Sequence, residues 1–156
     1  MADNTKTNGL LDLLEARGFD LRSPFKLVRH REPSKGYEME HFRAQGWLEW
    51  YQAFQAKPIF KSLKYIVSFV GVGGTQARLY GVYEVLSCVP SEEGPDLPEA
   101  LRRRVLPEHW KAPGGYYYRL RRIRGYEDLE DRLVIEWGKG ARSWHQRPRN
   151  KEVIAQ

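Results

Sequence analysis

The chain has 156 residues, 41% of them hydrophobic and 29% charged, which fits one globular domain with its own core and excludes a disordered chain. A single cysteine, Cys88, rules out an internal disulfide and a cysteine-based zinc site, and no apolar run approaches the ~20 residues of a membrane span. The net charge of +6 is unevenly placed. Residues 1–96 carry 12 Lys/Arg against 12 Asp/Glu, whereas residues 97–156 carry 14 against 8, so the surplus lies late in the chain and points to a polyanion-facing surface.

The N-terminus "MADNTKTNG" is polar and acidic, unlike a signal or transit peptide, and the expectation is a soluble cytoplasmic protein. "NGLLDLLEARGFD" places Leu10, Leu11, Leu13 and Leu14 at helical spacing, and Gly18 stops the turn. "PFKLVRH" (24–30) reads as a strand closed by Pro33. "KGYEMEHFRAQG" reads as loop. "WLEWYQAFQAK" (47–57) sets Trp47, Trp50, Tyr51 and Phe54 at i, i+3, i+4, i+7, which predicts a helix with an aromatic stripe ended by Pro58. "LKYIVSFVGV" and "ARLYGVYEVLSCV" flank "GGTQ" and predict a hairpin, with Gly73 and Gly74 in its turn and Cys88 a buried thiol near a strand end. The proline-rich stretch 90–115 reads as an excursion with at most a short helix. "YYYRLRRIRGY" alternates, with Tyr116, Tyr118 and Leu120 on one parity and Arg119 and Arg121 on the other, a strand with a basic face. "EDLEDRLVIEWG" turns into a last strand. These elements predict an α+β domain, built as a small closed barrel with two or three short helices, because closure removes exposed edges.

Catalytic and metal motifs fit poorly. "FVGVGGTQ" lacks the later glycine of a dinucleotide fingerprint and the Gly-Lys-Ser/Thr of a phosphate loop, and a strand follows where both need a helix. His30, His41, His109 and His145 form no i, i+3 or i, i+4 pair for a metal. No Ser sits in a nucleophile elbow. Glu136 and Lys139 in "IEWGK" echo a nuclease carboxylate–lysine pair only faintly. The acids of "GYEDLED" read as a solubilising turn. No catalytic residue, metal ligand or cofactor is assigned.

The basic and aromatic run "WGKGARSWHQRPRNK" stands out. Lys139, Arg142, Arg147, Arg149 and Lys151 interleave with Trp137, Trp144 and His145, so the cations can neutralise phosphates while a ring stacks on a base. Trp137 ends an apolar strand and is expected in the core. Arg119, Arg121, Arg122 and Arg124 could extend this surface. The rings of segment 47–57 exceed what capping a small barrel needs, so one or two could line a cavity for a flipped base.

Two resemblances build on these residues. "KLVRHREP", "GWLEWYQAFQAKPIFKSLKYIVSFVGV", "LYGVYEVL", "GYEDLEDRLVIEWGKGARSWHQ" and "NKEVI" resemble the N-terminal region of a group of bacterial GIY-YIG nuclease family proteins. No Gly-Ile-Tyr followed by Tyr-Ile-Gly is present, so the resemblance implies a targeting half without cleavage activity of its own, with a nuclease domain as a possible partner in the same polypeptide. More loosely, the order of "FKLVRHREP", "GWLEWYQAF", "YIVSFVGV" and "YGVYEVL" is similar to EVE and related PUA-like domains, which read modified bases, although His30 or Arg31 stands where that family has Ser. That resemblance implies a base pocket at His30, Arg31, Trp47, Trp50 and Tyr51. Phosphate contacts are expected from Lys139, Arg142, Trp144, His145, Arg147 and Arg149. The expected function is DNA binding with modified-base specificity. The alternatives are an RNA-binding module of the same fold, and a metal-dependent nuclease using Glu136, Asp128 or Asp131.

Overall fold

Glycine opens the first helix without a side chain to cap it, so the cap comes from elsewhere. In the computed structural model, which describes residues 9–30, 50–53, 57–90, 116–138 and 145–156, helix α1 spans Leu10–Ala16. Gly9 is its N-cap, and the Asn150 side chain supplies the missing acceptor. Asn150 Oδ1 accepts from the Leu11 amide at 2.8 Å, Nδ2 donates to Asp12 Oδ2 at 3.0 Å, and the Leu10 amide donates to Lys151 O at 2.7 Å. With the Asp12 amide also 3.4 Å from Asn150 Oδ1, three orphan amide donors of the first turn meet one distant segment. A Cβ on Gly9 would lie 1.9 Å from Asn150 Oδ1, so only glycine leaves room for this cap.

The backbone divides into two compact units, the first comprising residues 1–34, 63–83 and 122–156, the second residues 35–62 and 84–121. In the first unit, strand β1 (Phe25–His30) runs parallel to β3 (Tyr65–Gly71), with Phe25 opposite Tyr65 and His30 opposite Val70. β3 turns through Gly73 and Gly74, both at positive φ, into β4 (Gln76–Pro90). The turn closes through the Val72 amide to Gln76 O and the Gln76 amide to Gly73 O, as the glycines predict. The start of β4 also pairs antiparallel with β6 (Val134–Glu136), and β6 pairs with β8 (Val153–Ala155) through a register shift. β7 (His145–Gln146) lies antiparallel on the other side of β1.

One face of this sheet carries the core. Leu10 and Leu14 of α1 meet Phe25 and Leu27, Val67 and Phe69, Ala77 and Leu79, and Ile135 and Trp137, the odd positions of their strands. Two-residue periodicity brings these side chains to one side. At ~25 cal/mol per Å² of apolar surface, each wholly buried leucine contributes about 2 kcal/mol. The segment 125–133 covers the core with Tyr126, Leu129 and Leu133, and a bidentate Arg17–Asp128 pair at 2.6 and 2.8 Å ties it to the end of α1.

In the second unit, β2 (Trp50–Ala53) pairs antiparallel with β5 (Tyr116–Arg122), Trp50 opposite Arg119 and Tyr51 opposite Tyr118, and β5 pairs with the later part of β4. Tyr118 is wholly buried beside Phe60, whose amide donates to its hydroxyl at 3.3 Å. Burial pushes the Tyr118 phenol up to about 12.

Two expectations are corrected. Residues 50–53 form a strand, not the middle of a helix. Four residues cannot separate a 3.6-residue from a two-residue period, and the tyrosine-rich β5 offers a ladder partner that helical spacing does not anticipate. The remainder of that expected helix, and the 91–115 excursion, lie outside the described residues. The chain is a mixed α+β fold, mostly sheet with one helix among the described residues, and its described strands do not close into a barrel. Strands expected in "PFKLVRH", "LKYIVSFVGV", "ARLYGVYEVLSCV", "YYYRLRRIRGY" and "EDLEDRLVIEWG" are present as β1, β3, β4, β5 and β6.

Candidate nucleic acid interface

β7 is the outer strand of the first unit's sheet, and it brings the late cationic segment against β1. Leu27 stands opposite Gln146 and Val28 opposite His145. Alternation then sends the cations of β1 to opposite faces. Lys26, on the face of Val28, places Nζ 3.2 Å from His145 Nδ1. A charged ammonium can only donate, so this nitrogen accepts and the imidazole proton sits on Nε2. Partial burial, followed by the Lys26 charge, lowers the His145 pKa.

Arg29, on the core face with Phe25 and Leu27, lies with its guanidinium carbon 5.7 Å from the centre of the Trp137 ring. Lys151 Nζ lies 5.5 Å from the same centre and donates to Trp137 O at 2.5 Å. Trp137 is wholly buried, as its strand-end position predicts, with Phe69 at 6.0 Å between centroids and its amide bonded to Thr75 O. Arg147 and Arg149 follow β7 on the exposed surface.

On the face opposite the core, His30 Nε2 is 2.9 Å from Ser68 Oγ. Burial draws the imidazole down to about 4, so it is neutral at physiological pH. Ser68 is itself buried in mid-strand. Tyr80 and Tyr83 stack nearby in the chain, 6.4 Å apart at 20°.

The sequence-predicted residues divide accordingly. His30, His145, Arg147 and Arg149 share the first unit, and the first two sit on paired strands. Trp50 and Tyr51 belong to β2 in the second unit. Arg31, Trp47, Lys139, Arg142 and Trp144 lie outside the described residues. Lys26, Arg29 and Ser68 were missed by sequence reasoning, because a charged residue in a strand reads as solvated until its neighbour strand is known.

Two arginines of β5 are engaged by acids. Arg121 pairs with Glu84 and Arg122 with Glu130. The acids of 127–130 are likewise engaged: Arg17 holds the Asp128 carboxyl below its usual range, and backbone amides do the same for Glu127. Among the described residues no three acidic, histidine or cysteine side chains gather to hold a metal ion. Comparison with protein-family models, curated proteins and solved structures finds no match to this chain.

Proposed function

We propose that this chain is a DNA-binding specificity module that reads a modified base and directs a GIY-YIG-type nuclease. The observation that carries the reading is the β1–β7 edge. Lys26 and Arg29 stand on opposite faces of β1, Arg147, Arg149 and Lys151 follow β7 in the chain, and none has a carboxylate within ion-pair distance among the described residues. Cations elsewhere in the fold are partly neutralised by acids, as in Arg17–Asp128 and Arg122–Glu130. A run of uncompensated cations on a sheet edge suits a phosphate backbone, whose counterions are released on binding. The PUA-like arrangement remains part of this proposal, with His30 on β1 as its described pocket residue.

Salt-dependent DNA binding tests it. Replacing Arg147 and Arg149 with Ala should reduce the slope of log affinity against log salt by about one for each phosphate that is no longer neutralised. Unchanged slopes would remove this edge from the interface. Structured RNA outcompeting duplex DNA would make the module an RNA binder. A panel of oligonucleotides carrying methylated, hydroxymethylated and glucosylated bases tests the base-reading part, and equal affinity across the panel would refute it.

A further inference from the structure

We infer that Lys26 and His145 form a proton-operated switch on the β1–β7 edge. The pair is closed while the imidazole is neutral, and protonation opens it and strengthens the hold of that edge on a phosphate backbone. The inference rests on the reading above and adds its regulation.

The contact itself sets the condition. His145 stands opposite Val28, so Lys26 is its diagonal neighbour on the same face, at a separation that a long side chain spans. Lys26 Nζ lies 3.2 Å from His145 Nδ1, and an ammonium has protons to donate and no lone pair to offer. Nδ1 must therefore be bare. A second proton on the ring would turn that nitrogen into a donor and set two like charges face to face. The contact exists in one protonation state.

The surroundings decide which way the pair moves. On the same face of β1, His30 is bonded to Ser68 of β3, and Arg29 leaves the strand on the other side. Arg147, the residue after β7, is exposed. Partial burial, and then the charge of Lys26, disfavour the imidazolium. Lys26 has no carboxylate within ion-pair distance among the described residues to hold it in place. Protonation therefore frees the flexible lysine arm toward solvent, and the pair presents two cations where it presented one. β7 is two residues long and His145 is one of them, so the switch acts at the seam that brings the late cations to β1. A phosphate on this edge offsets the repulsion. By linkage, a bound polyanion raises the proton affinity of His145, and the proton raises the affinity for the polyanion.

The test is an NMR titration of the full chain, carrying ¹³C,¹⁵N-labelled histidine, between pH 7.5 and 5, with and without a short DNA duplex at fixed salt. His145 is assigned by its loss in His145→Gln. At pH 7.5 the wild-type ring should carry its proton on Nε2, and an Nδ1–H ring overturns the switch whether or not any variant folds. Lys26→Gln should raise the midpoint of His145 in the free chain, and an unchanged midpoint in the folded variant overturns it too. The duplex should also raise that midpoint. Duplex affinity should rise about threefold to eightfold as pH falls from 7.5 to 5, the effect of releasing the counterions of one further phosphate at ~0.1 M salt. That rise should vanish in His145→Gln, and its persistence there assigns it to another group and refutes the inference. Duplex binding that ignores pH refutes the inference and keeps the nucleic-acid reading. Absence of binding at either pH removes that reading and the gain assigned to the switch, while the tautomer and the Lys26→Gln midpoint still report the pair.

Discussion

His30 should make the fold sensitive to mild acid, and the size of the effect can be worked out. Its pKa falls from 6.5 to about 4 because burial penalises the charged ring. Between these values the unfolded chain holds the proton and the folded chain does not, so stability drops as pH falls through that window. At 1.36 kcal/mol per pH unit the full loss is about 3 kcal/mol, and about 2.5 kcal/mol is already lost at pH 4.5. That is a large share of the stability of a domain this size. Urea melts at pH 7.5 and 4.5 measure it, comparing the wild type with His30→Gln. Asp20, Glu127 and Asp128 are all held below the usual carboxylate range, so they too lose stability as pH falls toward their ordinary values of 3.8 to 4.5, a loss shared by the wild type and His30→Gln. His145 is also depressed and acts with the same sign, so His145→Gln is the necessary control. The glutamine at 30 should remove most of the pH-dependent difference. If wild type and His30→Gln lose equal stability between the two pH values, the assignment of a neutral, buried imidazole is wrong.

The Gly9–Asn150 cap gives a double-mutant cycle. Gly9→Ala should cost about 2 kcal/mol in thermal or chemical melts because its Cβ displaces the Asn150 amide, and Asn150→Ala about 1 kcal/mol for the lost cap. On the Asn150→Ala background Gly9→Ala should cost almost nothing, since Gly9 has ordinary extended dihedrals; additive costs would refute the steric coupling. Trp137→Leu should destabilise by about 3 kcal/mol, the range for truncating a wholly buried aromatic, and a change under ~1 kcal/mol would contradict its place in the core. Arg17→Ala should cost less than about 1 kcal/mol and still less in high salt, because its partner Asp128 is exposed; a cost that salt does not reduce would mean the pair is more buried than its geometry indicates.

Local chemistry decided much of what the chain does, and it was legible. Leu10 and Leu14 at helical spacing, the Gly73–Gly74 turn, and the alternation of Tyr118 and Leu120 with Arg119 and Arg121 each state their own environment within a few residues. Trp137 ended an apolar run and proved to be core. The surplus of late cations was likewise countable from composition. What residues 50–53 would become was not legible, since their periodicity fits a helix and a partner strand more than sixty positions away overrode it. The described strands do not close into the barrel expected from strand content, because content does not specify which edges meet.

Pairing is the level at which the tertiary structure took over. Nothing near Lys26 or Arg29 in the sequence distinguishes them from solvated charges; β7 lying along β1 turns them into part of one cationic edge. Nothing near Gly9 announces a cap, which Asn150 brings from the other end of the chain. Carboxylates did the opposite for β5, turning an apparently basic strand into ion pairs. A side chain's type and phase along the backbone are inherited from its neighbours in sequence, whereas its charge balance and its desolvation depend on atoms that arrive only when distant strands are laid side by side.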